Sequence, residues 1–189
     1  MSQLIASKLR TGLSPKQFVE GMTKNREAFQ ACLDMFDWHG DAELEEFYDS
    51  LNNRDDLRCL IIAADWCGDC VRNVPVAFQA MEKAGIPTEV LVMEEHLDLL
   101  DQHLTMGGRS IPVVLFVDTG GHLLGKWGAR PQYVQEVMNA FKAANPDREA
   151  PDYQEKISVA REEMKRRYGE GNGYQKLILE EIRDVLSRV

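Results

Sequence analysis

Residues 59–70 read Cys59-Leu60-Ile61-Ile62-Ala63-Ala64-Asp65-Trp66-Cys67-Gly68-Asp69-Cys70, an apolar run that passes straight into a Cys-x-x-Cys pair. The run does not alternate, which predicts a strand over about 57–64 that is buried on both faces and therefore central in its sheet. After Cys67 the period changes. Val71, Val74, Phe78 and Met81 fall on one helical face, Pro75 should kink the axis, and Gly85 supplies a stop before Pro87. Cys67 then sits at the opening of a helix, where unsatisfied backbone N–H groups and the positive end of the helix dipole stabilise a thiolate. Cys70 lies one turn further on, close enough to close a ring. The chemistry this pattern predicts is disulfide exchange, with Cys67 as nucleophile and Cys70 as resolving thiol. Trp66 offers a flat apolar surface beside the sulfurs, and Gly68 is expected to let the turn form and keep the approach open.

Working outward, Thr88 to Met93 reads as a second strand, and a helix is expected over roughly 95–105 (Leu97, Leu100, Leu104), ending at Gly107-Gly108. Val113 to Val117 is a third strand. Asp118-Thr119-Gly120-Gly121 signals a turn, so His122 to Trp127 should return antiparallel. Pro131 can start a helix with Val134, Val137, Met138 and Phe141 inward, followed by the linker Asn145-Pro146-Asp147. Upstream, Ser14, Pro15 and Gln17 form a helix-start signature, and one helix is expected over 14–36 despite a gap in its apolar stripe near Asn25 and Arg26. Asp41 can cap a further helix through Leu51. Downstream, a charge-dense helix runs to Tyr168, glycines break it over 169–173, and a last helix carries Leu177, Ile178, Ile182, Val185 and Leu186. That stripe must dock on the core, on a partner or on a second copy, a homodimer being one of those outcomes. The organisation expected is one domain over 1–189: a helical extension over 1–56, a core over 57–143 and a helical extension over 151–189.

The 189 residues are 44% hydrophobic and 28% charged, which suits a soluble domain with a packed core. A net charge of -9 argues against a broad surface for nucleic acid or anionic membrane, leaving room only for a local basic patch. The first ten residues lack a basic run followed by an apolar core, and no stretch approaches eighteen apolar residues. With four cysteines and one close pair, the expectation is a reduced, cytoplasmic setting. A structural zinc site would need two more N or S ligands. Cys32 and Cys59 lie in apolar stripes and read as inert buried thiols. His96 and His103, near Glu94, Glu95, Asp98 and Asp101, read as a solvated helix face, so neither metal nor cofactor is expected.

Together these features resemble the thioredoxin superfamily over about 57–143, and more loosely bacterial thioredoxin-like proteins that carry Trp-Cys-Gly-Asp-Cys with extra helices. The resemblance rests on Trp66-Cys67-Gly68-Asp69-Cys70, Pro75 five residues after Cys70, Ser110-Ile111-Pro112 opening the third strand, and Gly128 after the fourth. It implies an α/β fold with a central mixed four-stranded sheet flanked by helices. It also implies a cis proline at Pro112 facing the sulfurs, with Ile111 and Pro112 holding substrate as a short extended strand. The implied activity is that of a thiol-disulfide oxidoreductase acting on protein or small-molecule disulfides and reset by an external reductant or reductase. Two residues depart from the family pattern: Asp69 stands where thioredoxins usually have Pro, and Ile61 replaces their buried Asp. Asp69 should favour the protonated form of Cys67. It is also the expected proton acceptor for Cys70 in place of the absent carboxylate, with bulk water as rival and Asp65 read as a solvated loop residue. A redox-inactive adaptor using the Trp66 and Pro112 groove, and a metal-binding module, are the competing classes.

Overall fold

The computed structural model describes residues 2–189. Its centre is β1 (Leu57–Ala63), in which every residue but Arg58 is buried, as the unbroken apolar run requires. β1 pairs in parallel with β2 (Thr88–Val92) on one side and antiparallel with β3 (Val113–Asp118) on the other. β4 (Leu123–Gly128) completes the order β2-β1-β3-β4 by a hairpin from β3. The result is the mixed four-stranded sheet with flanking helices expected from the sequence.

The N-terminal extension comprises α1 (Ser2–Lys8), α2 (Pro15–Gly21), α3 (Arg26–Asp34) and α4 (Ala42–Ser50). The capping box predicted from Ser14 and Gln17 is present, and Asp41 caps α4 by accepting from the Leu44 N–H at 3.0 Å. The single helix expected over 14–36 is instead two. Gly21 ends the first, Asn25 takes a left-handed φ of 55°, and the N–H groups of Thr23 and Lys24 turn to the Asp65 carboxylate at 2.8 and 3.0 Å. The gap in the apolar stripe marked this break. Leu13 bridges to Val90 through two backbone bonds, so the extension also covers the free edge of β2.

After β1 comes α5 (Gly68–Lys83), with Pro75 inside it and Gly85 beyond its end at φ +62°. α5 packs against α3, α4 and β1. The helix expected over 95–105 shrinks to α6 (Leu97–Leu100), because Thr105 and Gly108 close a two-residue turn with reciprocal backbone bonds and Met106 and Gly107 at positive φ. Leu104 is consequently exposed, and His103 is buried rather than on a solvated face. Burial lowers the pKa of both His103 and His96.

α7 (Gln132–Ala144) begins after Pro131 and packs on α8 (Tyr153–Tyr168). α9 (Gly173–Leu186) lies on α4, α5 and β4. Its Ile178, Leu179, Ile182 and Leu186 are no more than 2% exposed and dock on the chain's own core, whereas Leu177, expected in the same stripe, is exposed. Among the described residues no helix is long and apolar enough to cross a membrane.

Candidate functional site

β1 ends at Ala63, and a short loop through Asp65 and Trp66 delivers Cys67 to the N-cap position of α5. The loop is anchored from the N-terminal extension. Asp65 accepts from the N–H and hydroxyl of Thr23 and from the N–H of Lys24, and its own carbonyl accepts from Asn25 Nδ2 at 2.9 Å. Burial raises the Asp65 pKa, but these donors outweigh it and hold the carboxyl below its ordinary value. Asp65 is thus an anchor rather than a solvated loop residue. Trp66 is 48% exposed and steadied by donation from Nε1 to Glu94 at 2.6 Å.

The two sulfurs differ sharply. Cys67 is half-buried, whereas Cys70 is 1% exposed. Donation from the Cys70 thiol is the main influence holding Cys67 below the ordinary thiol pKa; burial opposes it, the Cys70 and Asp69 N–H groups assist it, and the Asp69 charge opposes it. Burial, together with donation to Cys67 and proximity to its charge, pushes Cys70 well above. Each half of the pair therefore has one chemical character: an accessible sulfur that ionises early and a sheltered one that keeps its proton. Across the cleft, the neutral Cys67 thiol donates to the Ile111 carbonyl at 3.4 Å. The Ile111-Pro112 peptide is cis, as the resemblance implied, and both residues are buried. Gly68 has ordinary helical backbone and open space where a Cβ would stand, so the turn does not require glycine there.

Asp69 is placed differently from expectation. One of its oxygens accepts from Arg130 Nε and Nη2 at 3.0 and 2.6 Å, and the other accepts from the Tyr168 hydroxyl at 2.7 Å. The ion pair is sheltered, with side chains 8% and 15% exposed for Arg130 and Asp69. Tyr168 also accepts from Asn73 Nδ2 at 2.9 Å, and that amide donates to the Ala129 carbonyl at 3.0 Å. Arg130 Nη1 donates to Gln135 at 2.6 Å. Both carboxylate oxygens are engaged by three donors in all, and the geometry is that of a hub joining α5, α7 and α8. Ile61, at the position of the absent acid, is fully buried in apolar surroundings.

Arg130, Tyr168, Glu94 and Asn73 were not legible as site residues. The only signal was Asp69 itself, since an acidic side chain at a helix start beside a buried core calls for a donor, but its partners lie 61 and 99 residues away. Cys32 and Cys59 are buried as expected, and burial pushes the Cys59 thiol up to about 12. Among the described residues no group of three or more His, Cys, Asp or Glu side chains gathers at metal-binding spacing.

A mixed sheet of order β2-β1-β3-β4, a Cys-x-x-Cys at the mouth of the helix after β1 and a cis proline at the start of β3 define a thioredoxin-like fold. The chain belongs to the thioredoxin family, whose model matches residues 12–144. Among solved structures it is similar to a Pseudomonas aeruginosa protein of unknown function, with a TM-score of 0.63 and 20% identity, over 93% of this chain and 92% of that one. It is also similar to an HIV epitope scaffold, with a TM-score of 0.65 and 19% identity, over 99% of this chain and 97% of that one. No curated protein matches the chain.

Proposed function

We propose that this thioredoxin-family chain is a thiol-disulfide oxidoreductase of the reduced cytoplasm. The observation that carries the reading is the asymmetry of the pair, an accessible Cys67 with lowered pKa beside a buried Cys70 with raised pKa. The Cys67 thiolate attacks one sulfur of a substrate disulfide, forming a mixed disulfide and expelling the other half as a thiolate that takes a proton from water. Cys70 then loses its proton and attacks Cys67, releasing the second half. The protein is left with a Cys67-Cys70 disulfide, and the substrate has gained two electrons. An external dithiol or reductase resets the pair. The Ile111 carbonyl and Pro112 form the wall opposite Cys67, against which an extended substrate can lie, and Trp66 supplies an apolar face.

In this reading Asp69 acts on Cys67 through its charge and holds Arg130 and Tyr168, while water takes the Cys70 proton. The test is reduction of an accessible protein disulfide with dithiothreitol as reductant. Cys67→Ser should abolish turnover, and Cys70→Ser should accumulate a mixed disulfide visible on a non-reducing gel. Undiminished turnover in either variant overturns the mechanism, and absence of turnover in the wild type favours the adaptor role.

A further inference from the structure

Beside the cysteine pair lies a cleft of about 490 Å³, large enough for a small organic ligand. Six of its lining side chains are cationic and one, Asp69, is a carboxylate. This concentration stands out in a chain whose net charge is -9. Arg130 is neutralised by Asp69, Arg109 is paired with Asp101 and Lys165 with Glu162. Among the described residues Arg72, Lys142 and Arg161 have no carboxylate partner. Arg72 lies over the Tyr168 ring at 5.2 Å, which fixes its guanidinium without neutralising it. Burial and the neighbouring charges of Arg148 and Arg130 lower the pKa of Lys142, as expected in a positive field.

The cleft adjoins the reacting sulfur on two sides. Gly68 and Asp69, which line it, follow Cys67 directly, and Ser110, also lining it, precedes the Ile111 whose carbonyl is 3.4 Å from Cys67 Sγ. Met138, Ile157 and Met164 give the same cleft apolar surface. A molecule with its disulfide at Cys67 therefore has both apolar surface and cations without carboxylate partners in the adjoining cleft.

Resting on the redox reading above, we infer that the cleft selects small disulfides carrying anionic groups, carboxylate or phosphate, as the substrate class of Cys67, with Arg72, Lys142 and Arg161 recognising the anions. The exchange is the one already written: two protein thiols become one disulfide as the small disulfide becomes two thiols. The α7 and α8 wall makes this site, so selectivity depends on the C-terminal extension as well as on the cysteine segment.

Three symmetric disulfides of similar size separate charge from reactivity: 3,3′-dithiodipropionate (anionic), 2-hydroxyethyl disulfide (neutral) and cystamine (cationic). The rate constant for oxidation of the reduced protein by each is divided by that of dithiothreitol with the same compound, which removes intrinsic reactivity. The corrected rates should fall in the order anionic, neutral, cationic. In Lys142→Gln/Arg161→Gln the anionic-to-neutral ratio should drop about tenfold, the scale of losing two solvent-screened charge contacts. Any effect of the lost cations on the Cys67 thiolate changes all three rates alike and cancels in the ratio. Neither side chain is buried, and a thermal melt of the variant checks its fold. A ratio unchanged by the substitutions, with all three compounds reacting at Cys67, overturns the cleft assignment and leaves the redox function standing. Failure of the wild type to react with any of the three overturns the redox function itself.

Discussion

Cys67 and Cys70 show how two identical side chains acquire opposite chemistry from one turn of helix. The Cys70 thiol donates to Cys67, so the proton that makes Cys70 inert also stabilises the Cys67 thiolate. Iodoacetamide labelling of Cys67 should therefore rise with pH with a midpoint below that of an ordinary thiol. Removing the donor with Cys70→Ala should move the midpoint up, because the thiolate loses its main hydrogen bond, while Cys70→Ser keeps a hydroxyl donor and should move it less. Equal midpoints in Cys70→Ala and wild type would contradict this account. Asp69 enters the same titration with opposite sign. Asp69→Asn removes a negative charge that disfavours the Cys67 thiolate, so the labelling midpoint should fall. The substitution also leaves the sheltered Arg130 guanidinium without its counterion, a loss of about 3 kcal/mol that a denaturant titration measures. A lower midpoint with lower stability is the signature of a charged hub; slowed resolution at an unchanged midpoint would restore Asp69 as proton acceptor.

Among the elements, α9 carries the clearest packing claim. Ile182 is fully buried where α9 lies on the sheet and α5, and Tyr48 ties the helix further by donating to the Leu179 carbonyl at 2.7 Å. Ile182→Ala should cost about 3 kcal/mol in urea unfolding, since a deep aliphatic side chain is lost and rigid neighbours cannot fill the space. The apolar stripe of this helix was legible because its period reports burial directly, although periodicity says nothing of which surface it meets. β1 was legible for the same reason, and the Ser14-Gln17 capping box because all its partners lie within one turn. The failures share the opposite property. What ends α2 and separates it from α3 is the Asp65 carboxylate about 40 residues away, and a helical period over 95–105 carries no trace of the turn that pairs Thr105 with Gly108. At the site, the cysteines and the cis proline could be placed by motif. The Arg130 and Tyr168 contacts could not, because distant charge pairs leave no periodic mark.

At the scale of the molecule, the two extensions hold the Cys-x-x-Cys segment from opposite sides. Thr23 and Lys24 grip the loop before Cys67 through Asp65, and Tyr168 grips the first turn after it through Asp69. The packing repeats this arrangement. Phe18, Phe29, Leu44 and Tyr48 from the N-terminal side and Tyr168, Ile178, Leu179 and Ile182 from the C-terminal side belong to one buried cluster with β1 and α5. Ten residues of α5 are buried, including the polar Asn73, whose side-chain NH2 donates to the Tyr168 hydroxyl and the Ala129 carbonyl. A fragment limited to 57–143 would expose much of that apolar surface and leave Asp69 and Asn73 without Tyr168, losses large beside the 5–15 kcal/mol or so that typically separates folded from unfolded domains. The full chain should therefore unfold in one cooperative step, with tryptophan fluorescence and far-ultraviolet circular dichroism tracing the same urea transition. The fragment should show no cooperative transition and no lowered Cys67 labelling midpoint. Separated transitions in the full chain, or a fragment that melts cooperatively with the wild-type labelling profile, would mean that the core stands alone and that the extensions serve only the cleft.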